Sequence, residues 1–522
     1  MNDAGKRKMI GQLMVCGFSG TMLNDEFRSF IKEYYIGNII LFLENMQDAN
    51  QIRKLCSDIQ EEVRGTTGYD ALICIDQEGG VVSRFPEGIP SLPGAMALAS
   101  VGSVRDVYDA GVITANELNM LGINVDFAPV ADINSNKANP VIGVRSYGDN
   151  PESVCNFSNS MMKGLSDGRV IPCIKHFPGH GDTSTDSHLG LPKVNKTYEE
   201  LSEFELKPFK FLIDNNAPMV MTTHILFPKI DSDFPATMSS KILTGILRKE
   251  LKYDGVIITD CLEMGAIQEN YGSRAGGIHA IEAGADMLCV SHDYKVAKDI
   301  CDGLFEQVSV EKLSDSFERI IKLKNDFILY KGATGGFDEK NYSILIANAQ
   351  KRFDELREKS INVIFENKDF FAKSMMNKKQ TLFIGCDAFR STLVSGEPLK
   401  INFAKYMGEL TGCDRIAVSF KRDDEEIKVI TDKIATYKNI ILGTYNAYLI
   451  CEQKNLIQAL SDRITKLNKM DSGGGYALAV IAFRNPYDLD FAGENDTKIA
   501  AYEYSKEIFD ALYRLMMKEI GE

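Results

Sequence analysis

The sequence has no run of more than three Lys or Arg residues, no paired CxxC cysteines and no uninterrupted apolar stretch of membrane-spanning length. Because a transmembrane helix needs roughly 18 or more apolar residues, no membrane span is expected. The formal net charge of −14 argues against a polyanionic partner such as nucleic acid. The 11 cysteines are scattered singly, and several of them, Cys74, Cys173 and Cys289, lie inside apolar runs. This pattern indicates small buried side chains in a reducing compartment and not a disulfide framework.

The N-terminus superficially resembles an export signal. The basic residues Lys6–Lys8 precede a short apolar run. Gly11 and Gln12 interrupt that run, so we do not expect an export signal. Together with the unpaired cysteines, this predicts a cytoplasmic protein.

Short apolar runs alternate with amphipathic stretches from residue 10 to about residue 290. A chain of 522 residues exceeds what one hydrophobic core normally supports, so two domains are expected. Nearly continuous apolar runs are typical of parallel strands buried on both faces. Eight such runs predict an α/β fold with a (β/α)8 TIM-like barrel. The predicted strands are 13–17, 38–43, 71–76, 124–130, 171–176, 218–224, 255–260 and 286–290.

A Gly-rich junction at 332–336 ends this pattern. We therefore predict a (β/α)8 catalytic barrel over residues 1–335 and a smaller C-terminal α/β sandwich of αβα type over residues 336–522. Two helices are predicted in the smaller domain, at about 342–360 and 499–520. Its predicted strands are 361–365, 381–386, 415–420, 439–444 and 477–483.

Polar residues concentrate where the predicted barrel strands end. Barrels of this kind build their active sites at the C-terminal ends of the strands. Five of the six histidines lie there, and only His279 has the character of an ordinary helix residue. The sequence therefore predicts an active site at this end of the barrel. The strand-end residues are Asp76, Asp126, Asp132, His176, His224, Asp260 and His292.

The segment 175–192, KHFPGHGDTSTDSHLGLP, contains three of the six histidines and three glycines. Imidazole titrates closest to neutral pH, so this clustering suggests proton transfer or metal binding. Asp186 and His188 resemble an acid/base dyad, in which the carboxylate orients one ring nitrogen and leaves the other to exchange protons. The plainer interpretation is a polar loop whose histidines only form hydrogen bonds.

Four further residues carry candidate chemistry. Asp260 ends the run GVIITD. A carboxylate held at a barrel mouth can attack an electrophilic carbon. The alternative role of Asp260 is an N-cap of the next helix. Asp76 could bind a pair of sugar hydroxyls with help from Arg84, for which the alternative is a surface ion pair. Arg145, in VIGVRSYG, is a second candidate clamp for a hydroxyl or carbonyl group.

Four motifs carry a family resemblance: IDQEGG (75–80), VIGVRSYG (141–148), KHFPGHGDTSTDSHLGLP (175–192) and GVIITDCLEMGAI (255–267). Together they closely resemble glycoside hydrolase family 3, in particular its β-N-acetylglucosaminidase branch. Weaker similarity continues through RNPYDL (484–489), so the resemblance covers most of the chain. Val81-Val82 follows Gly79-Gly80 here, whereas relatives often have Gly-Gly-Arg, a departure that would alter a peripheral contact and not the chemistry.

The resemblance implies a role for each matching residue. Asp260 matches the catalytic nucleophile, His188 the general acid/base and Asp186 its dyad partner. No metal or other cofactor is implied. The residues that match those holding the terminal sugar are Asp76, Arg84, Arg145, Lys175 and His176.

The implied activity is that of a retaining exo-β-N-acetylglucosaminidase, which removes terminal β-linked GlcNAc through a covalent glycosyl-aspartate intermediate. Peptidoglycan fragments and chitooligosaccharides are the expected substrates, and peptidoglycan recycling suits a cytoplasmic enzyme. A histidine acid/base departs from the usual pair of carboxylates. Because it is neutral after losing its proton, it repels phosphate less than a carboxylate would, so phosphate could compete with water and release sugar 1-phosphate.

Other functions stay open at this point. A noncatalytic sugar-binding protein would need only the hydroxyl clamps. Within the family, the alternatives are a β-glucosidase and a β-N-acetylglucosaminide phosphorylase, and the dyad in the barrel loop favours the N-acetylglucosaminidase branch. A metal-dependent hydrolase lacks the expected HxH pair after the first strand; its candidate ligands would be His176, His180, Asp182, Asp186 and His188.

Overall fold

The computed structural model describes residues 2–184, 190–327, 339–367, 369–387, 401–419, 424–471 and 475–518. The chain divides into two compact units, Met1–Leu92 with Ser103–Lys351 and Pro93–Gly102 with Arg352–Glu522. The expected boundary between residues 335 and 336, with its Gly-rich junction, lies outside the described residues. The segment Pro93–Gly102 is grouped with the second unit, although it lies far before that boundary in the sequence.

Eight parallel strands close a barrel in the first unit, which confirms the TIM-like fold predicted from the sequence. The barrel closes where Val15 pairs with both Asn38 and Cys289. The fourth strand is much shorter than its apolar run, because Pro129 has no N–H to donate to a neighbouring strand. The strands are β1 (Met14–Cys16), β2 (Asn38–Ile40), β3 (Leu72–Ile75), β4 (Val125–Asp126), β5 (Ile171–Phe177), β6 (Met219–Thr222), β7 (Val256–Cys261) and β8 (Met287–Val290).

Helices alternate with these strands, and local side chains set their ends. The third helix, for example, begins after Asp48, whose carboxylate accepts from the N–H of Gln51, and ends at Gly68 with φ of 84°. An additional helix over Lys241–Glu250 connects β6 to β7. The labelled helices are α1 (Asp3–Leu13), α2 (Asp25–Tyr34), α3 (Ala49–Thr67), α4 (Ala95–Ser100), α5 (Val104–Leu121), α6 (Pro151–Asp167), α7 (Tyr198–Glu203), α8 (Leu206–Asp214), α9 (Gly265–Gln268), α10 (Ser273–Ala283), α11 (Tyr294–Gln307), α12 (Val310–Phe327) and α13 (Glu339–Ser360).

The second unit contains a six-stranded sheet in the order β11-β10-β12-β13-β14-β9, in which only β9 is antiparallel to its neighbour. The strands are β9 (Asn362–Phe365), β10 (Thr381–Cys386), β11 (Asp414–Val418), β12 (Asn439–Thr444), β13 (Ala477–Ala482) and β14 (Thr497–Ala500). The helices are α14 (Phe370–Met376), α15 (Phe403–Thr411), α16 (Asp424–Lys433), α17 (Cys451–Met470) and α18 (Lys506–Lys518).

One element of the second unit differs from the sequence prediction. A helix was predicted from about residue 499, but Thr497–Ala500 forms β14 and the helix begins only at Lys506. Strand β14 pairs with β13 on one side and β9 on the other. Pairing within the sheet therefore outweighs the local helical pattern.

The cysteines and the helices can also be compared with the predictions made from composition and hydropathy. All 11 cysteines are free thiols, and Cys74, Cys173 and Cys289 are buried, as their apolar surroundings predicted. Within the described ranges, no helix is both long and apolar enough to cross a membrane.

Candidate active site

Asp76 and Glu78 lie on the segment that leaves β3. A tight turn follows them, in which Gly79 has φ of 86° and Gly80 has φ of 55°. These left-handed conformations favour glycine, because a side chain would be strained there. The N–H of Gly79 closes the turn by donating to the carbonyl of Val82 at 3.1 Å. The turn leaves Glu78 buried and Asp76 partly exposed.

Glu78 lies at the centre of a buried ion network. Its two carboxylate oxygens accept hydrogen bonds from Arg145, each at 2.8 Å. Lys175 Nζ lies 2.5 Å from Glu78 Oε1 and 2.7 Å from Asp76 Oδ1. The fold therefore brings three predicted residues, Asp76, Arg145 and Lys175, around one carboxylate that sequence reasoning missed.

Opposite charges control ionisation in this network. Burial raises the pKa of Glu78, but Arg145 and Lys175 outweigh burial and hold the pKa well below its ordinary value of 4.5. Burial likewise lowers the pKa of Lys175, and the charges of Asp76 and Glu78 outweigh it and raise that pKa. Glu78, Lys175 and Arg145 are therefore all charged at neutral pH.

His176 lies between Asp132 and Arg145. Its Nδ1 is 2.6 Å from Asp132 Oδ2, and its Nε2 is 3.4 Å from Arg145 Nη2. A guanidinium group only donates hydrogen bonds, so Nε2 is the acceptor and Nδ1 carries the proton that points to Asp132. Asp132 thus fixes both the tautomer and the orientation of a ring that was predicted to hold the sugar.

Asp132 also anchors the start of the His-rich loop. Its Oδ1 accepts from the backbone N–H of His180 at 2.7 Å. Burial, and after it the neighbouring His176, lower the pKa of His180 to about 4. The ring nitrogen Nδ1 of His180 is 2.9 Å from the hydroxyl of Thr183. His180 is therefore a neutral residue at physiological pH that shapes the loop.

Asp260 lies near the C-terminal end of β7 and is partly exposed. Its Oδ1 accepts from the N–H of Cys261 at 2.8 Å. The alternative role as a helix N-cap is wrong, because Met264 occupies the N-cap of α9. Burial and the Cys261 thiol raise the pKa of Cys289, and the charges of Asp260 and Asp76 add to this shift.

Three other predicted residues take different positions. The guanidinium of Arg84 lies 5.8 Å from the ring centre of Phe42, and its backbone N–H donates to Gln77 Oε1 at 2.9 Å. Asp126 is fully buried and accepts the N–H of Gln77 at 2.9 Å, so it supports the segment after β3. His292 is exposed, with its ring 4.8 Å from that of Phe42.

The predicted dyad of Asp186 and His188 lies outside the described residues, so its role stays a prediction. Across the rest of the chain as described, no three His, Cys, Asp or Glu side chains are arranged to hold a metal ion. Asp182, one of the ligands considered for a metal, instead pairs with Lys196 at 2.9 Å.

Glu78 and the pairing of Asp132 are the features that sequence reasoning missed. Glu78 stands in the motif IDQEGG, two residues after Asp76. In extended chain, side chains two apart point to the same side, so this spacing was an available signal. The contact between Asp132 and His176 spans 44 residues and has no comparable local signal.

Comparisons with known proteins agree with the fold and the motifs. The model of the glycosyl hydrolase family 3 N-terminal domain matches residues 6–323. A β-hexosaminidase A from Pseudoalteromonas piscicida is 38% identical over 337 residues, which are 59% of this chain and 56% of that protein. The chain thus covers little more than half of this relative. A β-hexosaminidase from Thiobacillus denitrificans is 32% identical over 56% of this chain and 81% of its own length.

A solved structure covers both units. The family 3 β-N-acetylglucosaminidase from Paenibacillus sp. str. FPU-7 is 34% identical, with a TM-score of 0.85, and the match covers 98% of this chain and 97% of that one. The family match over more than half of the chain and the residues at the barrel mouth lead to one conclusion: the chain belongs to glycosyl hydrolase family 3, as its motifs predicted.

Proposed function

We propose that this protein is a retaining exo-β-N-acetylglucosaminidase that removes terminal β-linked GlcNAc. The relatives named β-hexosaminidase and the β-N-acetylglucosaminidase structure of similar length support this substrate class. The observation that carries the proposal is the charged network of Asp76, Glu78, Arg145 and Lys175, which lies at the same end of the barrel as Asp260.

Asp76 is well suited to bind the hydroxyls of a terminal sugar. Its side chain is 20% exposed, whereas that of its partner Lys175 is only 2% exposed. An ionised carboxylate has several acceptor sites, so one bond from Lys175 leaves Asp76 able to accept from two adjacent hydroxyls. We assign the sugar-holding role to Asp76, Arg84, Arg145, Lys175 and His176.

The proposed mechanism needs one nucleophile and one acid/base. Asp260 attacks the anomeric carbon while protonated His188 gives its proton to the leaving oxygen, and the glycosidic bond breaks. Water then attacks the glycosyl ester while His188 takes up a proton from it, which releases the sugar with retained configuration and restores Asp260. Asp186 stabilises the imidazolium form of His188.

The direct test compares release of p-nitrophenol from the β-GlcNAc and β-glucoside substrates. We expect strong preference for the GlcNAc substrate in the wild type, near-complete loss in Asp260→Ala and impairment in His188→Ala. His279→Ala, on the exposed face of α10, is the matched histidine control and should keep wild-type activity. Preference for the glucoside would place the enzyme in another branch, and an active Asp260→Ala would remove the assigned nucleophile.

Phosphate is the second candidate acceptor. A neutral His188 would present no negative charge to an incoming phosphate, so release of GlcNAc 1-phosphate is compatible with the proposed acid/base. Product analysis with and without phosphate separates the two acceptors. Identical rates and no sugar phosphate would leave water as the acceptor.

We further propose that peptidoglycan fragments or chitooligosaccharides are the natural substrates and that the enzyme acts in the cytoplasm. The support is the name β-N-acetylglucosaminidase of the similar Paenibacillus structure and the singly scattered cysteines of the sequence. Activity on both classes of oligosaccharide, measured in fractionated cells, tests substrate and location together.

A further inference from the structure

His224 is a strand-end histidine to which the proposed mechanism gives no role. It lies two residues beyond the end of β6 and is completely buried. Its two ring nitrogens contact different parts of the barrel. Nδ1 lies 2.9 Å from Thr237 Oγ1, and Nε2 lies 2.9 Å from the carbonyl oxygen of Cys261. Cys261 is the residue that follows Asp260.

The carbonyl group determines which ring nitrogen must carry a proton. A carbonyl oxygen only accepts, so Nε2 of His224 is the donor. The hydroxyl of Thr237 has one proton and three acceptors within reach, which are His224 Nδ1, the carbonyl of Thr223 at 3.0 Å and Thr222 Oγ1 at 2.8 Å. Whichever acceptor takes that proton, Nε2 of His224 donates to Cys261.

The other side of Cys261 contacts the nucleophile. Its N–H donates to Asp260 Oδ1 at 2.8 Å. His224 therefore holds the residue whose N–H orients the carboxylate. The series of bonds extends back to β6, because Thr222 Oγ1 lies 2.8 Å from Thr237 Oγ1. It runs from Thr222 through Thr237, His224 and Cys261 to Asp260.

Strand pairing alone does not hold this end of β7 in a regular position. The pairing of β7 with β6 runs from Val256 to Ile258, so Asp260 lies two residues beyond it. On the other side, the register of β7 against β8 shifts between Ile258 and Cys261. The side chain of His224 bridges β6 to β7 beyond the point where their ladder ends.

We propose that His224 is a positioning residue for Asp260, and that its bond to the Cys261 carbonyl fixes the N–H that orients the nucleophile. This inference rests on the proposed function, because it takes Asp260 as the nucleophile. A misplaced carboxylate slows attack on the anomeric carbon. The sugar-holding contacts of Asp76 and Lys175 belong to other strands and stay in place.

The test measures formation of the glycosyl-enzyme directly. The intact protein is mixed with a 5-fluoro derivative of GlcNAc glycosyl fluoride. This reagent forms the glycosyl-enzyme ester, which then hydrolyses only slowly. Mass spectrometry follows the gain in mass and identifies the labelled residue. His224→Phe removes the donor, His224→Gln returns an N–H donor, and Thr237→Val removes the supporting hydroxyl. His279→Phe is the matched control on an exposed helix face.

We expect His224→Phe to slow labelling of Asp260 by about 10- to 100-fold, while KM for the p-nitrophenyl substrate stays within about twofold. His224→Gln should recover most of the rate, Thr237→Val should label several-fold more slowly, and His279→Phe should match the wild type. Thermal unfolding checks that each variant is folded. If His224→Phe does not fold, the labelling rate of Thr237→Val tests the positioning role.

Wild-type labelling rates in the folded His224→Phe and Thr237→Val variants would overturn the positioning role and leave the proposed function intact. Labelling of the wild type at a residue other than Asp260 would overturn both, because the proposed nucleophile itself would be wrong. The labelled residue therefore distinguishes the two failures.

Discussion

At the scale of single residues, the buried carboxylate of Glu78 is shared by two cations. Arg145 and Lys175 both bind it, and the side chains of Glu78 and Lys175 are 5% and 2% exposed. A buried ion pair is a weak source of net stability, because desolvation offsets much of the attraction. Removing one partner of such a pair is strongly destabilising, because the remaining charges stay buried without compensation. The network therefore ties the stability of the barrel to the geometry of the proposed sugar site.

Glu78→Gln tests that link. We expect the free energy of unfolding to fall by about 3–5 kcal/mol, because two buried cations lose their shared counter-charge. KM should rise, because Lys175 and Arg145 lose the partner that holds them in place. Chemical denaturation and steady-state kinetics measure the two effects. Glu306→Gln, which breaks an exposed pair with Arg274, should change stability little, and an equal loss there would contradict a special role for the network.

His180 predicts a pH dependence of stability. Because burial lowers its pKa from 6.5 to about 4, the unfolded chain takes up this proton at a higher pH than the folded protein. The contribution of His180 to the free energy of unfolding is fully present above pH 6.5 and is lost as the pH falls to about 4. This loss amounts to about 3 kcal/mol.

The comparison for His180 is with His180→Gln, which has no titrating ring. The difference in unfolding free energy between wild type and variant should shrink steadily over that pH range. Other titrating groups are common to both proteins and cancel in the difference. A difference that stays constant between pH 7 and 4 would contradict a buried neutral His180.

At the scale of elements, helices α5 and α6 approach through two facing glycines. A Cβ atom on Gly164 would lie 2.4 Å from the carbonyl oxygen of Tyr108, and one on Gly111 would lie 2.9 Å from that of Met161. Backbone atoms cannot rotate away as a side chain can. The two helices would therefore have to separate to admit even a methyl group.

Gly164→Ala should lower the free energy of unfolding by about 1–3 kcal/mol, because the helices must shift. Gly65→Ala in α3 is the matched control, because no atom lies within 4 Å of its added Cβ. That control should be stabilised by up to about 1 kcal/mol, since Ala favours helix and restricts the unfolded chain. Urea denaturation measures both. Stabilisation by Gly164→Ala would contradict the close packing of α5 against α6.

At the scale of the whole molecule, each unit has its own hydrophobic core. In the second unit, the ring of Phe403 lies 5.8 Å from Phe383, 4.7 Å from Phe483 and 5.3 Å from Phe509. The barrel core is formed separately, by side chains of its eight strands. Separate cores predict separate unfolding transitions in the full chain.

Phe403→Ala should destabilise the second unit by about 3–5 kcal/mol, because it leaves a cavity among aromatic rings. Calorimetry of the full chain should then show one transition at lower temperature and one unchanged. Under the proposed function, added GlcNAc identifies the barrel, because a ligand raises the transition of the unit that binds it. A single transition that moves as a whole would contradict independent cores.

The sequence by itself determined the eight barrel strands, the strand-end position of the polar residues and the family. Each depends on local information: continuous apolar runs form buried strands, and a residue at the end of such a run lies at the barrel mouth wherever the rest of the chain goes. Asp76, Arg145, Lys175 and His176 could be singled out from motifs as candidate site residues for the same reason.

Only the tertiary structure decided which side chains meet. Glu78 reaches Arg145 across 67 residues, and His224 reaches Cys261 across 37. The run at 497–500 became a strand because two other strands flank it. Periodicity acts over a few neighbouring residues, whereas ion pairs and hydrogen bonds depend on the distances that barrel closure sets. For that reason, the sequence predicted where the site lies, and the fold decided which partner holds each residue in it.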